Sequence, residues 1–289
     1  MNFAPIELDE QTRAFLDDVR AFADEQVTDE VLEEEWQTGS GHNWGLHRAL
    51  GAKGWIMPTW PKDRGGAGLT AWHAALLDRE LREREAPVIT WLVSRLVAST
   101  VDQFGSEDLK AHVLSRMTRG EICFCLGYTE PDCGSDLAAV KTRAVRDGDE
   151  WVVDGQKMFT TGAQNSSHAF LLARTNLEAA QHKGLTMFLC PLEGAEIQAV
   201  HTLGGERTNM VFFDEHRVPD SHRLGPVDEG WMVLSGPLAA EHGMGTPGAV
   251  VPMEQRGGMY GHALAVAYDV AVAWAQSPSD DGTRPIDDP

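Results

Sequence analysis

The chain has 289 residues, of which 42% are hydrophobic and 24% charged, and its formal net charge is −20 at pH 7. This length suffices for one large domain or two smaller ones. So acidic a surface repels phosphate backbones, which disfavours nucleic acid as a partner, and no apolar run approaches the roughly 20 residues that span a membrane. Residues 1–7 lack a basic region followed by an apolar one, so we predict no secretory signal and a cytoplasmic location.

The first part of the chain has the patterns of a helical domain. Apolar residues at helical spacing predict helices over 7–34, 44–53, 71–84, 89–104 and 107–119. A connection rich in glycine and proline, over 55–69, is too broken for regular structure. Ser106 is a predicted N-cap because acidic residues follow it in the first turn. In the helix over 71–84, charged residues that include Asp78 and Glu80 are predicted to form the solvent face.

The pattern changes at Gly120, after which short apolar runs separated by turn residues predict strands. These runs span 123–126, 141–146, 150–159, 169–174, 185–191, 197–200 and 209–213. Asp147-Gly148 is a strong hairpin signal between the second and third runs. Helices return over 230–240 and 253–274, and residues 277–289 are too rich in aspartate and proline to be helical throughout.

The order of helices, strands and helices predicts an α+β fold with three parts. We assign a helical domain to 1–120, a β domain to 121–229 and further helices to 230–289. The spacing of the strands suits a small barrel or sandwich. The four cysteines (Cys123, Cys125, Cys133 and Cys190) are predicted to be buried free thiols with no metal site, because the first two share one face of a strand and no second ligand cluster exists.

Two polar segments stand out within the β region. The first runs from Tyr128 to Asp136, and it places Thr129 and Ser135 in a turn that Pro131 and Gly134 interrupt. Glycine admits close approach of the backbone, so such a turn can present N–H groups and hydroxyls to a ligand. The second, 157–162, puts paired threonines at the end of an alternating run. On the residues alone, a polar turn and a strand end without a ligand is the simpler interpretation.

The chain resembles the acyl-CoA dehydrogenases. Residues 126–136 match their TEP-x-x-GSD signature, 147–151 and 154–158 match the hairpin that follows, 213–219 match the exit from their β domain, and 60–66 match a turn in their N-terminal domain. Several motifs in order at consistent spacing make the resemblance specific. It implies an N-terminal helical domain, a middle β-barrel or sandwich domain and the start of a C-terminal helical bundle. The family's chains continue well past this point, so the sequence is either a fragment or a short member.

The resemblance implies FAD as the cofactor and α,β-dehydrogenation of an acyl-CoA thioester, in fatty-acid or sterol side-chain degradation. In that reaction a base removes the α-proton while the β-hydrogen leaves as hydride to flavin N5. By motif position, the residues that bind the cofactor are Leu126, Tyr128, Thr129, Ser135, Phe159, Thr160 and Thr161. Ser135 would also contact the pantetheine of the substrate. Many members have Trp where this chain has Phe159, so an aromatic face remains but an indole donor is lost.

The base is assigned to Glu241. In most of the family the catalytic Glu lies in a C-terminal part that this chain lacks, but in a minority it lies on the first helix after the β domain, where Glu241 falls. Small apolar neighbours would desolvate the carboxylate and raise its pKa. His242 stands where the minority pattern often has Arg, and we assign it to substrate binding. Without the resemblance, Glu241 would be an exposed residue at a helix end.

The resemblance also implies an acyl-CoA substrate, an acceptor of the electron-transfer-flavoprotein type, and a homo- or hetero-oligomer. The family's Arg-x-x-x-Phe-Gly segment is missing after the last helix. In this respect the chain resembles actinobacterial, steroid-degradation-type members, which pair two different chains around a flavin. Two alternatives stay open. The chain could be a non-catalytic subunit that completes another chain's flavin site, or a flavin monooxygenase or oxidase on the same fold.

Overall fold

The structure, a computed structural model, describes residues 7–241, 261–278 and 284–287. Its helices are α1 (Glu10–Gln26), α2 (Asp29–Thr38), α3 (Trp44–Ala52), α4 (Ala71–Glu83), α5 (Ile89–Phe104), α6 (Glu107–Thr118), α7 (Gly230–Glu241) and α8 (Gly261–Gln276). Its strands are β1 (Phe124–Gly127), β2 (Arg143–Asp147), β3 (Glu150–Lys157), β4 (His168–Arg174), β5 (Leu185–Pro191), β6 (Glu196–His201), β7 (Arg207–Pro219) and β8 (Arg223–Leu224). In the part of the chain that these ranges cover, no helix is long and apolar enough to cross a membrane.

The prediction of one helix over 7–34 is wrong, because the chain forms α1 and α2 with a break between them. At the break Val27 leaves the helical region and Thr28 is extended. Asp29 and Glu30 then occupy the first turn of α2, where acidic side chains favour a helix N-terminus. The predicted N-cap Ser106 is confirmed, since its hydroxyl accepts a hydrogen bond of 3.2 Å from the Leu109 N–H.

The predicted solvent face of α4 is wrong at two positions, since Asp78 and Glu80 are both buried. Arg95 donates to Asp78 at 2.7 Å. Arg20, Arg79 and Arg84 donate to Glu80 at 2.9–3.2 Å. Buried carboxylates need such partners, because desolvation of an unpaired charge is costly. Helical periodicity placed Arg79 beside Glu80, but it could not show that Arg20 and Arg95 reach these carboxylates from other helices.

The strands form one eight-stranded sheet in the order β6-β7-β3-β2-β4-β5-β8, and β1 pairs in parallel with β4. The predicted hairpin at Asp147-Gly148 is confirmed, with Asp147 opposite Glu150. The register of β3 against β7 shifts between Val153 and Gly155. A side chain at Gly155 would bring a Cβ to 2.7 Å from the Thr142 backbone, so the shift depends on glycine. β7 is longer than the predicted strand over 209–213.

Among the described residues, the sheet separates two apolar cores. One core fills the space between the helices and one face of the sheet, and the other lies against the opposite face. Neighbouring residues of β1 divide between them, since Phe124 belongs to the first core and Cys125 to the second. All four cysteines are buried free thiols, as predicted. Burial raises the pKa of Cys123 to about 11 and that of Cys125 to about 12, so both stay protonated at neutral pH.

Candidate functional site

The turn that follows β1 carries the first candidate segment. The backbones of Glu130 and Cys133 bond to each other in both directions, at 2.9 and 3.1 Å, and this closes the turn. Gly134 and Ser135 lie beyond it and are exposed. A Cβ at Gly134 would meet only Thr129, at 3.7 Å, within the part of the chain described above. The surface over this turn is therefore open to a ligand, with the Ser135 hydroxyl at its edge.

The second candidate segment begins where β3 ends. The Met158 N–H donates to the Thr129 carbonyl at 2.8 Å, so the two segments are joined directly. Phe159 has φ +57° and is 58% exposed, an uncommon backbone conformation for a bulky residue. Thr160 is 1% exposed, and its hydroxyl has no hydrogen-bond partner among the described residues. The Thr161 hydroxyl donates to that of Thr208 at 3.1 Å.

A buried ion pair lies beneath both segments, and sequence reasoning missed it. Lys157 is fully buried, and its ammonium donates to Glu130 at 2.8 Å and to the Tyr128 carbonyl at 3.0 Å. Glu130 also accepts from the backbone N–H groups of Lys141 and Thr142, at 2.7 and 2.9 Å. The signal was available in the sequence, because a lysine at an inward position of an alternating strand needs a buried partner.

Burial acts to raise the pKa of Glu130, but the Lys157 charge and the surrounding donors outweigh it and hold that pKa below its ordinary value. Glu130 is therefore ionised at neutral pH. Its carboxylate is buried and accepts from three donors, on Lys141, Thr142 and Lys157. Glu130 therefore fixes the turn to these neighbouring segments and does not serve as a base.

Arg174 holds the far side of the first segment. Its guanidinium donates to the carbonyls of Ala138 and Val140, at 2.6 and 3.4 Å, just after the GSD residues. It also donates to the carbonyls of Gln181 and Lys183. Ser135 thus lies in an exposed loop whose two ends are both fixed.

The other predicted site residues lie at different depths. Leu126 is half-buried in β1 and packs against the first core. Tyr128 is buried, with its ring 5.7 Å from that of Phe170 in an edge-on arrangement. Glu241 is the last residue of α7, a helix anchored by the buried Val233 and Leu234. The side chain of Glu241 and the whole of His242 fall outside the described residues.

The helical region contacts the second segment through Thr90, whose hydroxyl is bonded to His42. A Cβ at Gly162, where φ is +80°, would lie 2.6 Å from the Thr90 methyl, so the two surfaces meet closely. The Thr90 hydroxyl hydrogen-bonds to Nδ1 of His42. Burial, together with His47 and Arg48, lowers the pKa of His42 to about 3, so the ring is neutral at pH 7. Sequence reasoning did not identify this contact.

Comparison with known proteins agrees with the motifs. Residues 9–121 match the family model of the acyl-CoA dehydrogenase N-terminal domain, and residues 125–215 match that of the middle domain. Acyl-CoA dehydrogenase FadE26 of Mycobacterium tuberculosis is 34% identical over 244 residues, which are 82% of this chain and 58% of that protein. Acyl-CoA dehydrogenase FadE29 of the same organism is 32% identical over 243 residues, which are 83% of this chain and 59% of that protein.

Two solved structures extend the comparison. The Tcur3481-Tcur3483 steroid ACAD superposes with a TM-score of 0.78 at 31% identity, covering 93% of this chain and 68% of that one. The ChsE4-ChsE5 complex from Mycobacterium tuberculosis has a TM-score of 0.78 at 28% identity, covering 98% of this chain and 70% of that one. The chain belongs to the acyl-CoA dehydrogenase family, and its similarity extends to a steroid-type member. It spans little more than half the length of FadE26 and FadE29.

Proposed function

We propose that this chain carries a flavin site of an acyl-CoA dehydrogenase and takes part in the α,β-dehydrogenation of an acyl-CoA thioester. The observation that supports this most is the junction of the two motif segments, where the Met158 N–H meets the Thr129 carbonyl at 2.8 Å. Beside that junction stand an exposed aromatic ring at Phe159 and a buried hydroxyl at Thr160 that lacks a partner within the described ranges. Such groups suit a flat ligand with a polar edge.

FAD fits this set of residues. Thr129, Thr160 and Thr161 would offer hydroxyls to the ring, Phe159 an aromatic face, and Leu126 and Tyr128 a wall from β1. Ser135, exposed beyond the turn, would reach the pyrophosphate and the pantetheine of the substrate. Local donors are needed, because the net charge of −20 repels the phosphates of both ligands. When bound, FAD would accept the β-hydrogen of the substrate as hydride.

Glu241 is the proposed base. An α-proton beside a thioester is weakly acidic, so its removal needs a carboxylate in a dry setting and hydrogen bonds to the enolate oxygen. Glu241 would take that proton on a side-chain oxygen, and small residues before it, Leu238 to Ala240, would limit its solvation. His242 would contact the substrate. The substrate class that we propose is a bulky acyl-CoA, with a sterol side chain as the first choice.

A second candidate function is favoured by α8. This helix exposes Tyr268, Val270 and Trp274, so three large apolar side chains are without a covering layer in the described part of the chain. A helix that is apolar on several sides is normally buried. The ChsE4-ChsE5 and Tcur3481-Tcur3483 relatives each carry the names of two chains. The alternative is therefore a non-catalytic subunit that completes the flavin site of an unlike partner.

A visible absorption spectrum of the purified chain with FAD, followed by a panel of acyl-CoA thioesters, separates the two functions. A catalytic chain would bind flavin, and its absorbance would bleach when the right thioester is added. Glu241→Gln should then abolish bleaching and leave flavin binding intact. Bound flavin that no thioester bleaches, but that bleaches once a partner chain is added, would favour the non-catalytic subunit.

A further inference from the structure

We infer that Asn209 is a positioning residue that holds the Phe159–Thr161 segment in its ligand-binding conformation, an inference that rests on the proposed flavin site for its functional meaning. Asn209 lies near the start of β7 and is fully buried. Neither family motif includes it, and the strand prediction used it only as a boundary.

Asn209 hydrogen-bonds to both backbone polar groups of Thr160, its N–H and its carbonyl. Its main-chain carbonyl accepts from the Thr160 N–H at 3.0 Å, and its side-chain Nδ2 donates to the Thr160 carbonyl at 3.0 Å. The second proton of Nδ2 goes to Oε1 of Gln164 at 2.7 Å, and Oδ1 accepts from Arg207 at 3.2 Å. Every polar atom of the amide therefore has a partner, which makes the group a rigid support.

These two hydrogen bonds hold the chain next to Phe159, whose backbone conformation is strained. Phe159, immediately before Thr160, has φ +57°, a conformation that side chains with a Cβ rarely adopt and that persists only where the surroundings impose it. On one side of Phe159 the constraint is the Met158 bond to Thr129. On the other side it is Asn209 on Thr160. Removing the amide would leave Thr160 bonded to residue 209 through its N–H alone, so the support on this side of Phe159 would be weaker.

The same amide links the segment to the helical region. Gln164, which accepts from Asn209, donates through Nε2 to the Ser40 hydroxyl at 3.3 Å, and Asn165 donates to that hydroxyl at 2.9 Å. Ser40 lies between α2 and α3. Asn209 is thus the inner end of a hydrogen-bonded path from the flavin-facing segment to the N-terminal helices.

Hydrogen exchange of the chain without flavin tests this inference directly. Asn209→Leu keeps the branched shape of the side chain at a larger volume and removes the amide. We expect backbone amides over 159–165 to exchange at least about tenfold faster, because the bonds to Thr160 and Gln164 are both lost and one such bond changes a local opening by about tenfold. Trp151→Phe is the matched control. It removes a part-buried hydrogen bond of 2.8 Å to Asp220 at the other end of the adjacent strand β3, and should leave exchange over 159–165 unchanged.

Unchanged exchange over 159–165 in a folded Asn209→Leu chain would overturn the inference. If that variant does not fold, Asn209→Thr suits a strand, is too short to replace the amide bonds to both Thr160 and Gln164, and should show the same acceleration. FAD affinity is the second readout, with a dissociation constant expected to rise about tenfold. An equal dissociation constant in native and variant chains would overturn the role in flavin positioning. Failure of the native chain to bind FAD would contradict the proposed function, and exchange would still decide the role of Asn209.

Discussion

The buried pair beneath the two motif segments gives the sharpest stability prediction. Lys157→Met removes the ammonium that contacts Glu130 at 2.8 Å and leaves a carboxylate buried with two backbone N–H donors. Removing one partner of a buried ion pair costs about 3–5 kcal/mol, and the two retained donors favour the lower end, about 3 kcal/mol. That loss is a large fraction of the stability of an ordinary domain.

The pH dependence identifies the cause. In the native chain the pKa of Glu130 is below its ordinary value, so ionisation of Glu130 contributes stability above the unfolded pKa near 4.5, and this contribution is lost as pH falls. Without Lys157, burial raises the pKa of Glu130 instead. In that variant, ionisation of the buried Glu130 carboxyl lowers the unfolding free energy as pH rises. We therefore expect the gap in unfolding free energy between native and variant to widen between about pH 5 and about pH 8.

Urea unfolding at both pH values measures this gap, and two further variants serve as controls. Lys141→Met removes an exposed partner of Asp132 in the same turn and should cost less than about 1 kcal/mol. Lys157→Met combined with Glu130→Leu removes both charges and should be more stable than Lys157→Met alone at neutral pH. A gap that does not change with pH, or a double variant no more stable than Lys157→Met, would show that an unpaired buried Glu130 carboxylate is not the cause of the loss.

Three further predictions follow from single positions. Burial lowers the pKa of His42 to about 3, so its ring should show no NMR titration above about pH 4, and a midpoint near 6.5 would contradict this. Because the unfolded ring binds a proton at higher pH than the folded ring, His42 should also lower the unfolding free energy as pH falls from about 6.5. Gly155→Ala places a Cβ at φ +146° and 2.7 Å from Thr142, so in urea it should lower the unfolding free energy by at least about 1 kcal/mol. Gly148→Ala is strained by φ +63° but meets no described neighbour within 4 Å, so it should lower the unfolding free energy less. Phe159→Asn should relieve strain at φ +57° and raise the unfolding free energy by about 0.5–1 kcal/mol while weakening FAD binding, and a loss of stability in thermal melts would argue against strain there.

Local sequence patterns were sufficient to predict most of the helices and strands. Ser106 and the Asp147-Gly148 turn act on residues close in sequence, so the start of α6 and the β2–β3 hairpin could be predicted. The break between α1 and α2 was missed because the apolar spacing continues past Thr28, although the two acidic residues that follow it mark a new N-terminus. Burial of Asp78 could not be predicted, since it depends on Arg95 from another helix.

At the candidate site, too, local features could be predicted from the sequence and contacts between distant residues could not. The motif segments could be predicted because each is continuous in sequence. Their junction through Met158 and Thr129 required the fold, as did the support from Asn209, whose side chain contacts a residue 49 positions earlier. Lys157 carried a local signal, a charge at an inward strand position, but its partner could be named only from the turn geometry.

If the two motif segments form one flavin site, the Thr160→Val variant should weaken FAD binding without lowering the stability of the chain. The Thr160 hydroxyl is buried without a partner in the described structure, so its removal should leave the unfolding free energy of the flavin-free chain unchanged or higher. If this hydroxyl forms a hydrogen bond to bound flavin, the FAD dissociation constant of Thr160→Val, measured by fluorescence titration, should be about five- to tenfold higher than that of the native chain. No FAD binding by the native chain, or equal affinity in the two chains, would contradict the account.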